Sequence, residues 1–455
     1  MTLPKTAATA WSEARFWVVL LTRLTGRFPG HVVVALALVW IVWGLAPAAV
    51  GLTAIAALSA RLYMLRRPGA YWRIAGPLVG CYRAWVVKRG WRNALDACGL
   101  ANEKPRFRVL ARWPRLVIRT RLASGQTLNE FEERAEALRS CFGASQIRVE
   151  PDGVRDVRVS LAFSDVLDVP FSARVPVHRH DAAIVIGRQW DGSDWALPVG
   201  PHTLVAGCSG SGKGSVLWSF VFGLAPAVRD GRVQLHGIDL KGGMEILMGR
   251  RFFTTLATSQ AEAVASLELL VGWLQTRTHQ YAGRVRSHQA SEAEPLHVVV
   301  IDELAALTAY STDRELQRRG EVALSILLSQ GRAPGFVVLA CLQDPRKDVV
   351  PTRGLFTQMV GLRLKDASES TMVLGEAALQ AGAHCHRLSR DLPGTGYIVP
   401  ESGGPPVKVR AGYASDDLIR ETAAEFATPT VLSVLPVRLE SAGRSRRPGR
   451  ATETG

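Results

Sequence analysis

The 455-residue chain is poor in cysteine and in lysine, and one stretch of it carries no charge at all. The six cysteines, at positions 81, 98, 141, 208, 341 and 385, include no CxxC pair. That spacing excludes a zinc knuckle, argues against a disulfide scaffold and suits free thiols in a reducing compartment. His384-Cys385-His386 has no second ligand pair and reads as ordinary structure. Only eight of the 55 basic residues are lysine. An arginine bias from a GC-rich genome and selection for a polyanionic partner both account for the net charge of +15. Such a partner is either nucleic acid or an anionic membrane face. With 47% hydrophobic residues the chain can bury a sizeable core, which excludes a disordered protein. Its length suggests two or three domains.

The uncharged stretch runs from His31 to Ala60, and Pro47 interrupts it. A membrane span needs about 20 apolar residues, so 31–65 fits either one tilted span or a tight two-helix hairpin. Lys5, Arg15, Arg23 and Arg27 precede it, and Arg61, Arg66, Arg67 and Arg73 follow. Basic flanks on both sides favour a hairpin with both ends in the cytoplasm, and residues 1–30 then form a cytoplasmic N-terminus. Residues 66–105 are basic and rich in tryptophan (Trp72, Trp85, Trp91). They read as a juxtamembrane segment at the headgroup interface, or as a nucleic-acid contact.

Residues 106–179 read as a small α+β subdomain, with strands at Leu116–Leu122, Ile147–Val149 and Val157–Leu161. Thr127 to Glu130 forms a capping box opening a helix with Phe131, Ala135 and Leu138 on one face. Residues 180–415 alternate strand and helix patterns, which predicts an α/β domain with a mostly parallel sheet and helices on both faces. Residues 416–455 form an extension whose tail, with Arg444, Arg446, Arg447 and Arg450, reads as disordered and able to contact phosphates.

The chemistry lies in the α/β region. The apolar strand Thr203-Leu204-Val205-Ala206 leads into Gly207-Cys208-Ser209-Gly210-Ser211-Gly212-Lys213-Gly214, and a helical run starts at Ser215. This is a phosphate-binding loop in its required setting. Gly207, Gly210 and Gly212 let the backbone curl so that its N–H groups face phosphate oxygens, with Cys208 and Ser209 as spacers. Lys213 reaches the β- and γ-phosphates of ATP. The usual next residue carries a hydroxyl that ligates Mg²⁺, but here it is Gly214. Ser215 supplies the hydroxyl if the turn shifts, and a water does so otherwise. His297-Val298-Val299-Val300-Ile301 then ends in Asp302-Glu303. Asp302 suits the Mg²⁺ shell, and Glu303 suits orienting and polarising the attacking water. A third apolar strand, Phe336–Leu342, ends at Gln343, a candidate γ-phosphate sensor or a plain surface residue. Arg332 is a candidate arginine finger for a neighbour's nucleotide, with Arg363 as competitor. Either arginine also fits a structural role or a DNA contact.

Together these pieces resemble the FtsK/SpoIIIE family of DNA-pumping ATPases, in the additional-strand RecA-like class. The matching segments are LVAGCSGSGKGSVLWS, GIDLKGG, HVVVIDELAAL and GRAPGFVVLACLQDP, the last being the most family-specific. The resemblance covers roughly residues 110–415 and implies ATP with Mg²⁺ and double-stranded DNA as client. It also implies a homo-oligomer of hexameric-ring type, anchored at the cell membrane with its motor in the cytoplasm. The GKGS spelling looks like the Tra proteins of actinomycete conjugative plasmids and integrative elements. The expected function is therefore a DNA translocase for conjugative transfer. Chromosome segregation at division, a secretion-system ATPase and a catalytically dead membrane-tethered scaffold are the alternatives. The chain lacks the long linker of division members, and about 40 residues after Gly412 leave little room for a winged-helix reader of DNA sequence.

Overall fold

The computed structural model describes residues 68–100, 106–112, 114–176, 183–310, 313–346, 350–400 and 404–432, with Ser59, Arg61 and Tyr63. The chain divides into two compact units, Met1–Val166 and Leu167–Gly455. Apart from those three isolated residues, the apolar run expected to enter a membrane lies outside the described residues, as does the arginine-rich tail. Among the described residues no helix is long and apolar enough to cross a membrane.

The first unit is built on a four-stranded antiparallel sheet of β1 (Phe107–Arg112), β2 (Arg115–Arg121), β3 (Gln146–Pro151) and β4 (Asp156–Ala162), in the order β1-β2-β4-β3. Helix α1 (Pro68–Ala97) covers it. The segment read as juxtamembrane is thus largely this helix, and its last turns face protein. Val87, Trp91, Ala94 and Leu95 are buried among Leu116, Ile118, Val157, Val159 and Leu161. Trp91 is fully buried and stacks on Phe142 at 5.8 Å, while Trp85 is exposed beside Arg89. The Thr127–Glu130 capping box is present. The expected single helix is two, α2 (Leu128–Glu133) and α3 (Ala135–Phe142), because Arg134 leaves helical geometry. Phe131 and Leu138 are still both buried.

The second unit carries a ten-stranded mixed sheet. Its strands are β5 (Ala183–Gln189), β6 (Asp194–Pro198), β7 (Thr203–Ala206), β8 (Val233–Ile238), β9 (Phe253–Ala257), β10 (Leu296–Ile301), β11 (Phe336–Leu342), β12 (Gln358–Gly361), β13 (Thr395–Ile398) and β14 (Val407–Ala411). The order is β6-β5-β14-β13-β12-β7-β11-β10-β8-β9. From β12 to β9 all pairings are parallel, and the other strands pair antiparallel. Strand β10 is buried along nearly its whole length, as expected for a central parallel strand covered on both faces. Val299 and Ile301 join a cluster with Val264, Leu267 and Leu270 of α5 (Gln260–Tyr281) and with Leu324 and Leu327 of α6 (Arg314–Gln330). Val298 and Val300 alternate to the other face, where α4 (Lys213–Arg229) packs.

Two expected boundaries move. The second unit takes in residues before 180, since Ala173 N–H donates to the Tyr413 carbonyl at 2.8 Å. It also runs past 415. Helix α7 (Asp416–Glu425) buries Ile419 and Ala423, and the Thr428 and Leu432 amides bond the Arg251 carbonyl and the Thr254 carbonyl.

A buried polar chain joins α5 to three strands, β10, β8 and β9. Arg277 Nη2 lies 3.3 Å from His297 Nε2, His297 Nδ1 lies 3.2 Å from His236 Nε2, and His236 Nδ1 lies 2.9 Å from Thr255 Oγ1. Arginine can only donate, so His297 Nε2 accepts, and each ring then passes one hydrogen onward. The chain closes only if both rings are neutral. Burial holds His236 down at about 3, and burial with His236 and Arg277 nearby holds His297 at about 2. An unfolded histidine titrates near 6.5. Below that pH the unfolded state therefore binds more protons, and stability is complete above about pH 6.5 and falls as the pH drops. The expected slope is about 1.4 kcal/mol per pH unit for each histidine. Urea unfolding at pH 7.5 and 5.5 measures it, and His297→Gln should flatten the slope.

Candidate nucleotide-binding site

The glycine-rich loop leaves β7 where three parallel strands end together. Gly207 N–H donates to the Leu342 carbonyl at 3.0 Å, and Cys208 N–H donates to the Arg363 carbonyl at 2.9 Å. The loop is thereby stitched to the strand ends on either side. Gly212 sits at φ +92° as the cap of α4, and a Cβ there would lie 2.7 Å from Gly394 Cα. Both the left-handed backbone and the close approach require glycine. The Ser211 hydroxyl, in the wall of this cradle, is buried and has no partner among the described residues. Lys213 opens α4, and its Nζ donates to the Gly207 carbonyl at 2.8 Å and the Cys208 carbonyl at 3.3 Å. Burial lowers its pKa, opposed chiefly by Cys341, Glu303 and Asp302. A buried ammonium beside loop amides and a helix N-terminus can bind phosphate oxygens.

Strand β11 lies between β7 and β10, so the acidic pair stands two strands from the loop. Glu303 is almost wholly buried. Its Oε2 accepts from Lys241 Nζ at 3.1 Å, and its Oε1 accepts from Gln343 N–H at 3.3 Å. Lys241 Nζ also lies 3.7 Å from Asp302 Oδ2. Burial raises the Asp302 pKa, and Lys241 opposes the rise. Gln343 therefore does meet the acidic pair, through its backbone amide.

The remaining candidates separate. Arg363 lies at the loop, donating from Nη2 to the Ser209 carbonyl at 2.9 Å. Arg332 is exposed and precedes β11, at the opposite edge of the sheet, where it faces buried His202. β11 spans about 23 Å and so separates Arg332 from its own chain's phosphate loop. Ser215 follows Gly214 in the first turn of α4 with no shift of the turn, its N–H bonding the Gly212 carbonyl. Among the described residues no group of three or more His, Cys, Asp or Glu could hold a metal by itself. Cys385 instead donates its thiol to the Gly361 carbonyl.

Three residues with no assigned role in the sequence reading belong to the site. Asp239 follows β8 and is fully buried. It accepts the Lys241 amide on one oxygen and the Glu245 and Ile246 amides on the other. It thus folds residues 239–246 into a turn that presents Lys241 to the acids and Glu245 to Gly214. The signal was present in the sequence, because VQLHGID is an apolar strand ending in an acid, like HVVVID.

Residues 177–282 match the FtsK/SpoIIIE family model. The match includes the loop, Lys241 and Glu245 and ends before Asp302, so the acidic pair rests on the geometry above. The transfer protein TraSA of Streptomyces ambofaciens is 28% identical over 377 residues, covering 71% of this chain and 88% of that protein. The DNA translocase FtsK of Corynebacterium glutamicum is 26% identical over 330 residues, covering 66% of this chain and 34% of that one. The structure of the pCW3 conjugation coupling protein TcpA, in its monomer form with ATPγS, has the same fold. It superposes with a TM-score of 0.50 at 20% identity, over 74% of this chain and 98% of that one. With loop, strand order and matched residues in agreement, the chain is an ATPase whose residues 177–282 are similar to the FtsK/SpoIIIE family.

Proposed function

We propose that this chain is a membrane-anchored, ATP-driven double-stranded DNA translocase serving conjugative transfer. The observation that carries the reading is the convergence of the Lys213 loop, Asp302, Glu303 and the Gln343 amide on one edge of a parallel sheet, in a chain similar to a transfer protein over 88% of that protein's length. The net charge of +15 supports a polyanionic client. The apolar run 31–65 supports the anchor. Similarity to FtsK translocases keeps chromosome segregation as the second reading, though it spans only about a third of the C. glutamicum protein.

Lys213 exchanges its loop carbonyls for the β- and γ-phosphates when nucleotide enters. The partnerless Ser211 hydroxyl and the glycine cradle fit that ligand, and the carboxylate set fits its magnesium ion. Mg²⁺ held with the nucleotide supplies charge neutralisation at the phosphates. Asp302 would hold that cation, once Lys241 gives up its contact with the acids. Glu303, fixed by the Gln343 amide, orients and polarises the attacking water. Arg363 touches the loop of its own chain and senses the phosphates in cis, while Arg332 serves a neighbouring subunit. Subunits assemble as a ring around duplex DNA, and hydrolysis moves backbone contacts along it.

Lys213→Ala should abolish nucleotide binding. Glu303→Gln should keep binding but slow DNA-stimulated hydrolysis at least about 100-fold. Stimulation by a secreted peptide and not by duplex DNA would overturn the reading. DNA affinity should be independent of sequence and fall about 10³-fold or more between 50 and 200 mM salt if six or more phosphates are neutralised. Titration of a fluorescent duplex at several salt concentrations checks this.

A further inference from the structure

The loop places a glycine where its chemistry calls for a cation ligand, and the fold fills that position from elsewhere. A Cβ on Gly214 would lie 2.5 Å from Glu245 Oε1, 3.1 Å from its Cδ and 3.4 Å from its Oε2. The carboxylate therefore occupies the volume a serine or threonine side chain would take at this position. It is held there. Trp218, one turn further along α4 and on the face Gly214 shares, donates Nε1–H to Glu245 Oε1 at 2.8 Å. The Glu245 amide is fixed by Asp239 at 2.9 Å, from the strand end beside Asp302. Burial raises the Glu245 pKa, and the nearby Asp302 charge raises it further.

We infer that Glu245 replaces the missing loop hydroxyl as a ligand of the nucleotide-bound magnesium ion. The inference rests on the nucleotide reading above and deepens it. Magnesium in such sites takes one or two carboxylates together with phosphate oxygens and waters, and Glu245 with Asp302 supplies that number. Ser215 does not share the Gly214 direction, because successive helical side chains diverge by about 100°. Trp218 bonds Oε1, the oxygen nearer Gly214, and that bond leaves Oε2 as the oxygen offered to a cation. Gly214 is then required: a side chain there would displace the carboxylate.

The test uses the full-length protein with ATPγS, and Mn²⁺ as a paramagnetic probe of the magnesium site. Mn²⁺ affinity of the nucleotide complex is read by electron paramagnetic resonance, and nucleotide affinity is read separately in EDTA. Glu245→Ala should weaken Mn²⁺ binding about 10- to 100-fold while nucleotide binding in EDTA stays unchanged. Glu245→Gln keeps an oxygen for the Trp218 indole but loses the charge, and it should be equally weak. The double substitution Gly214→Ser with Glu245→Ala returns a hydroxyl to the loop and clears the space for it, and should restore Mn²⁺ affinity. Unchanged Mn²⁺ affinity in Glu245→Gln overturns the inference, as does a double variant no better than Glu245→Ala. Loss of nucleotide binding in Lys213→Ala with EDTA present reports on the nucleotide reading alone, so the two failures are distinguishable.

Discussion

The unbroken run of parallel pairings from β12 through β7, β11, β10 and β8 to β9 is the constraint on which the site depends. Ala206 pairs with both Leu342 and Gly361, and Ile301 pairs with Ala340 and Ile238. With the registers so aligned, the chain leaves each strand at the same edge. Segments as far apart as residues 207 and 343 therefore emerge side by side, where open α/β sheets place their ligands. The interposed β11 matters for spacing. It sets the loop strand and the acid strand about 10 Å apart, two strand separations, and leaves room for a chain of phosphates between Lys213 and Glu303.

Carboxylates outnumber ammonium groups at this edge. Asp239, Glu245, Asp302 and Glu303 gather four carboxylates against Lys213 and Lys241, and several of these groups are withdrawn from water. Such a cluster holds together only if each charge has a defined partner. Asp239 is hydrogen-bonded by backbone amides, Glu303 by Lys241 and an amide, and Glu245 by an indole N–H. Lys241 is the shared cation, so the two acids named from sequence act through a lysine the sequence reading left without a role.

Much of this was legible beforehand because local signals and tertiary demands agree. The loop strand was read at its observed limits, since Thr203–Ala206 is an apolar run followed at once by glycine. Capping at Thr127 and the acids after β10 follow from patterns a few residues long. The unread parts depend on packing. Trp91 sits among arginines in sequence and looked interfacial, yet helical spacing places it with Val87, Ala94 and Leu95. Glu245 gave no signal because its importance lies in the absence of a side chain 31 positions earlier, which only the fold brings into contact with it. Residues 416–432 bury Ile419, Thr422, Ala423 and Phe426 at helical spacing, but one of the four is a threonine and the stripe is only about two turns long, so it is faint beside the charged residues around it.

If Arg332 serves a neighbouring copy as proposed, its placement at the edge opposite the phosphate loop limits how copies of this chain can combine. An arginine that serves a neighbour from one edge, while its own chain's loop waits at the other, cannot be exchanged reciprocally across a two-fold axis through one shared patch. The two surfaces are different and must meet head to tail. Each copy would then donate in one direction and receive from the other, giving a ring where the rotation closes and a filament where it does not. Directionality around the circle would be inherited from the polarity of a single β-sheet.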